Sequence, residues 1–135
     1  MTTTTEIRVR YAETDAQGIV HHSNYLIWFE EGRSEHLRQC GLNYTDFEKS
    51  GYFIVVVDAQ VQYKAPAYYE DLVRIETGIE TINGKLIRFS YRAINSEGTL
   101  LAQGTTTHLV LGSDRRPTRL PEEFVAPLRE VGTSL

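Results

Sequence analysis

At 135 residues with one cysteine, Cys40, the chain is sized for a single domain and cannot close an intramolecular disulfide, which fits a reducing compartment. A net charge of −4, from 14 Lys and Arg against 18 Asp and Glu, argues against nucleic acid as the main partner, because duplex binding needs a basic face. No apolar run approaches the ~20 residues of a membrane-spanning helix, and Met1-Thr2-Thr3-Thr4-Thr5 lacks the basic start and apolar core of a secretory signal, so a cytoplasmic protein is expected.

In chain order, Ile7, Val9 and Tyr11 alternate with Glu6, Arg8 and Arg10, which predicts a short half-buried strand. The segment from Ser23 to Cys40 follows a helical period. At ~3.6 residues per turn, Tyr25, Leu26, Trp28, Phe29, Gly32, His36, Leu37 and Cys40 share one face. Glu30, Glu31 and Arg38 fall opposite. Ser23 or Asn24 is placed to cap the start, and Gly41 to end the helix. Arg33 intrudes on the apolar stripe and so calls for a carboxylate partner or a subunit contact. A shorter helix is expected over Tyr44 to Lys49, closed by Ser50-Gly51.

From Tyr52 onward the period is two. Val57, Ala59, Val61 and Tyr63 form one strand face before Pro66 interrupts. Val73, Ile75, Thr77 and Ile79 form another, and Asn83-Gly84 is a tight turn. Ile87, Phe89, Tyr91 and Ala93 follow, then a turn at Asn95-Ser96-Glu97-Gly98 and a strand from about Leu100 to Leu111. A short helix closes the pattern over Pro121 to Val131. The order is strand, long helix, four strands. That is an α+β chain, a five-stranded antiparallel sheet with a helix against one face.

The candidate chemistry is concentrated in Tyr11-Ala12-Glu13-Thr14-Asp15-Ala16-Gln17-Gly18-Ile19-Val20-His21-His22-Ser23-Asn24-Tyr25. Asp15 stands at the end of the first strand, and the helix start near His22 supplies unpaired N–H groups and a partial positive charge. Gly18 permits the sharp turn that brings the two together. A turn aspartate bonding its own backbone is the plainer reading of Asp15. Metal binding has little support, since His21 and His22 in a strand would point to opposite faces and His36 and His108 are distant. His36 reads as a hydrogen-bonded core residue. No Gly-x-Ser-x-Gly turn marks a serine nucleophile, no glycine-rich loop marks a phosphate cradle, and Cys40 reads as a packing residue. Basic side chains at Lys64, Arg88, Arg92, Arg115 and Arg116 are candidates for anion contacts.

The run from Val9 to Tyr25, followed by Phe29-Glu30, Arg33-Ser34-Glu35, Tyr63-Lys64-Ala65-Pro66-Ala67, Tyr69-Glu70-Asp71 and Ala102-Gln103-Gly104, resembles the hot-dog acyl-CoA thioesterases of the 4-hydroxybenzoyl-CoA thioesterase type, bacterial acyl-CoA thioesterase branch. The resemblance implies a hot-dog domain over residues 1–135, a long central helix wrapped by the sheet, and hydrolysis of an acyl-CoA. It places Asp15 on the family's catalytic aspartate, as nucleophile or general base. It places the backbone N–H of His22 on the group that polarises the thioester carbonyl, with Gly18 and Tyr25 contributing to the substrate site. No metal and no cofactor are implied, coenzyme A being part of the substrate. A homodimer or homotetramer is expected, and an acyl carrier protein is a possible alternative carrier of the acyl group. Rival expectations are a hot-dog hydratase or dehydratase and a non-catalytic acyl-CoA-binding module.

Overall fold

A computed structural model describes residues 2–132, with side chains through residue 129; Met1 and residues 133–135 of the expected 1–135 domain lie outside the described residues. The elements run β1 (Thr3–Arg8), a 3-10 turn (Tyr11–Glu13), α1 (Asn24–Gln39), α2 (Tyr44–Lys49), β2 (Phe53–Tyr63), β3 (Leu72–Asn83), β4 (Leu86–Asn95), β5 (Leu100–Leu111) and α3 (Glu122–Gly132). The strands form one antiparallel sheet in the order β1-β3-β4-β5-β2. The five-stranded α+β arrangement expected from the sequence is therefore observed.

The first strand lies earlier than the alternation predicted. β1 begins at Thr3, and its inward row opens with threonines, whose branched Cβ suits a strand although they carry no apolar signal. Tyr11 is not on a strand. It opens the 3-10 turn and is 76% exposed, so its place in the alternation is a coincidence of spacing.

Helix α1 buries Tyr25, Trp28, Phe29, Gly32, Arg33, His36 and Leu37. Leu26, expected on this face, is exposed, and Cys40 is only half-buried. A methyl at Gly32 would collide with the side chains of Thr77 and Ile75, so glycine is what lets the helix approach β3 this closely. The helix packs most closely on β1 and β3 and less extensively on β4, while Phe29 reaches Gly104 of β5 and Tyr25 reaches Tyr63 of β2. It ends at Gly41 (φ +79°), with Gly41 N–H bonded to Arg38 O and Leu42 N–H to Leu37 O, the paired bonds of a glycine-terminated helix. Helix α2 ends the same way, through Gly51 and Tyr52.

β2 is an edge strand and is exposed along much of its length, with Val56 and Val57 half-exposed. A bulge between Val56 and Asp58 interrupts its pairing with β5. An edge this long and this apolar is a template for pairing with another chain.

Candidate functional site

Asp15 sits in a tight loop whose ends are joined by a bridge between Thr14 and Val20. Its N–H bonds to Ile19 O (2.9 Å), and its carbonyl accepts from Gly18 N–H (2.9 Å). Gly18 takes φ +83°, which a residue with a Cβ rarely adopts. The carboxylate Oδ1 accepts the Gln17 N–H at 2.8 Å, so Asp15 does make the turn bond of the plainer reading. That bond fixes the side chain and engages one oxygen. Among the described residues Oδ2 has no hydrogen-bond partner. Asp15 is not at a strand end, because the 3-10 turn separates it from β1.

The start of α1 is built differently from the expected cap. Ser23 occupies the cap position with helical dihedrals and no side-chain cap bond, its Oγ pairing instead with His21 Nδ1 at 2.8 Å. Asn24 does not cap either, since its side-chain amide donates to Glu13 O (2.9 Å) and His21 O (3.3 Å). The backbone amides around it are mostly used. His21 N–H goes to Glu13 O (2.8 Å), Ser23 N–H to His21 Nδ1 (3.2 Å) and Asn24 N–H to His21 O (3.0 Å). His22 N–H has no hydrogen-bond partner among the described residues. The two imidazoles are not on opposite faces as a strand would place them; they stack at 4.1 Å in this turn.

Asp15 and His22 line one cavity of about 460 Å³. Gln17, Ile19, Val20 and Tyr25 complete its near wall, and Tyr63, Lys64, Ala65 and Pro66 its far wall. Gly18 is not part of the lining and acts through the turn. Tyr25 is 3% exposed, and burial, with Tyr63 and Asp71 nearby, pushes its hydroxyl up to about 12, so it is a neutral donor at any physiological pH. Tyr63 ties the far wall to the start of α1 by donating its hydroxyl to His22 O at 3.0 Å.

Two residues here escaped the sequence reading. Glu13 is buried, yet its carboxylate accepts from Arg10 N–H (2.8 Å) and from the Trp28 indole (2.8 Å). Burial pushes its carboxyl up, but those bonds and the Arg10 guanidinium outweigh it and hold the group below its ordinary 4.5. Tyr63 is the other, legible only as part of the Tyr63-Lys64-Ala65-Pro66-Ala67 run.

Away from the cavity, Arg33 is buried with no carboxylate partner among the described residues. Its guanidinium donates to Tyr44 Oη (2.8 Å) and Tyr91 Oη (3.1 Å). Tyr91 continues to Thr106, and Thr106 to His108 Nε2. His36 is fully buried and bonded to Thr3 Oγ1 (2.8 Å), as a core histidine should be. Arg88 and Arg92 face Glu80 and Glu76, and Arg115 lies over the Phe53 ring. Among the described residues no group of three His, Cys, Asp or Glu is arranged to hold a metal ion. A groove of about 370 Å³ on the outer sheet face, lined by Gln60, Gln62, Arg92 and Gln103 among others, offers hydrogen bonds but no carboxylate or thiol.

A family model described as the thioesterase-like superfamily matches residues 9–128. The chain belongs to that superfamily. This thioesterase-like chain is 40% identical over 120 residues to YneP of Bacillus subtilis (strain 168), covering 88% of this chain and 87% of that protein. It is 33% identical over 127 residues to the acyl-CoA thioester hydrolase YbgC of Escherichia coli O157:H7, covering 92% and 93%. Its fold superposes on the DHNA-CoA thioesterase of Staphylococcus aureus with a TM-score of 0.91 at 32% identity, covering 98% and 91% of the two chains. The hot-dog architecture and the family expected from the motif are those found.

Proposed function

We propose that this protein is an acyl-CoA thioesterase that hydrolyses a small acyl- or aryl-CoA to the free acid and coenzyme A, with Asp15 and the His22 amide as its reacting pair. The observation that carries this reading is that His22, whose N–H has no partner among the described residues, lines the same cavity as a carboxylate with one free oxygen. The names of the relatives supply the thioester class.

A thioester carbonyl in this cavity would accept from His22 N–H as its oxygen gains charge. One well-placed backbone donor of this kind is typically worth on the order of 10²–10³ in rate. Asp15 then either attacks the carbonyl carbon, giving a mixed anhydride and expelling the thiolate, or takes the proton of a water that does so. In both routes the C–S bond breaks and the thiolate leaves as coenzyme A. In the first, one water then cleaves the anhydride to release the free acid and restore the Asp15 carboxylate; in the second, that water is itself the nucleophile. No metal or cofactor enters. Tyr25 and Ile19 supply wall to the acyl group.

We further propose a homodimer or homotetramer built by pairing of the exposed β2 edge, a cytoplasmic location, and a single functional domain over residues 1–135. Among the described residues no helix is long and apolar enough to cross a membrane.

The test is release of free thiol from acetyl-, hexanoyl-, palmitoyl- and benzoyl-CoA, read with a thiol-reactive chromophore. Turnover of at least one supports the proposal. Tight binding without turnover across the panel, or hydration of an enoyl-CoA without thiol release, contradicts it.

A further inference from the structure

We infer that Asn24 is the positioning residue for the reacting amide, holding the His21–His22 peptide so that His22 N–H faces the cavity; the inference rests on the reading of the site given above. In a trans peptide the C=O and N–H point in opposite directions, and every peptide in the described residues is trans. The carbonyl end of this peptide, His21 O, is held from the helix side twice, by Asn24 N–H (3.0 Å) and by Asn24 Nδ2 (3.3 Å). Its N–H end is thereby turned away from the first turn of α1, and it is the one amide from His21 to Asn24 left without a partner among the described residues.

The clamp is anchored. Asn24 Nδ2 also donates to Glu13 O at 2.9 Å, which additionally accepts His21 N–H. The Glu13 side chain is fixed in turn by the buried Trp28 indole and by the backbone of Arg10. A rigid line therefore runs from the helix interior through Trp28 and Glu13 to Asn24 and the His21–His22 peptide. Residue 24 must carry two N–H donors aimed backward at two carbonyl oxygens. An aspartate would fill the same space yet present only acceptors to them.

The experiment compares wild type, Asn24→Asp, Asn24→Ala and Asp15→Asn for thiol release from hexanoyl- and benzoyl-CoA, with melting temperature and KM measured on each. Asn24→Asp keeps the shape, and an acidic residue at a helix start is favourable, so the fold should hold. Asn24→Ala removes the donors without adding charge. Both should lower kcat by about 10- to 100-fold, with KM changed by less than about threefold and melting within a few degrees of wild type. Retention of kcat within twofold by either variant, or parallel loss of kcat, KM and melting temperature, overturns the inference. If Asp15→Asn is inactive while the Asn24 variants turn over normally, only the positioning role fails. If Asp15→Asn keeps the wild-type rate, the site reading fails and takes this inference with it.

Discussion

The indole Nε1–H of Trp28 donates to Glu13 Oε2 at 2.8 Å, joining a buried side chain of the long helix to the turn that precedes the Asp15 loop. Through this bond the position of Asp15, two residues on, is tied to the helix core. Glu13→Gln should cost about 1–3 kcal/mol, because an amide cannot accept from both Trp28 and Arg10 N–H as the carboxylate does. The same bonds hold the Glu13 carboxyl below its ordinary 4.5, so its stabilisation is present above that value and is lost as pH falls through the lower folded-state value. Denaturant titrations from pH 7 to 3 should show wild type losing more stability on acidification than Glu13→Gln.

A second pH dependence comes from His108. Burial, assisted by the Arg33 charge, pushes its pKa down from 6.5 to about 3. The unfolded chain therefore binds a proton that the folded chain refuses between those values, and stability falls as pH drops from about 6.5 towards 3. His36 is shifted in the same direction by burial and adds to the slope. Melting temperature against pH should be steeper in wild type than in His108→Gln over this window.

Gly104 is fixed by packing rather than by dihedral freedom. A methyl there would overlap the backbone carbonyl of Gln60 on β2 and touch the Phe29 ring, which itself stacks on Tyr91 at 4.5 Å. Because β2 backbone cannot move without breaking its pairing to β5, Gly104→Ala should destabilise by about 1–3 kcal/mol or more. Chemical denaturation measures it, and an unchanged midpoint would contradict the packing argument.

The β2 edge carries the oligomer prediction. Val56→Asp places a charge on an apolar strand that is half-exposed in the isolated chain. Sedimentation analysis should show the variant shifted towards monomer. A variant that sediments like wild type would place the subunit contact elsewhere.

Much of the framework is legible in the sequence because it rests on local rules. Gly41 ends α1 and Gly51 ends α2 because a left-handed residue is needed there, and Asn83-Gly84 and Asn95 to Gly98 turn the hairpins for related reasons. What is not legible depends on distant partners. Nothing near Arg33 foretells that Tyr44 and Tyr91 would hold its charge in place of a carboxylate. Nothing near Glu13 foretells its burial either, because Trp28, 15 positions on, is what makes that burial tolerable. The threonines of β1 hide the start of a strand that apolar periodicity places too late, while Tyr11 mimics its continuation. At the site, Asp15 and His22 are visible as a spacing and the family resemblance points to the His22 N–H, but that this amide is without a partner among the described residues is seen only once the neighbouring amides are found bonded.

The central claim is tested most directly by the rate of thiol release in Asp15→Asn. The asparagine Oδ1 can still accept the Gln17 N–H, so the loop and the fold should be kept while the charge is lost. A folded Asp15→Asn protein with turnover reduced at least about 100-fold on the best acyl-CoA of the panel is the predicted result. Near-normal turnover in that folded variant would contradict the account.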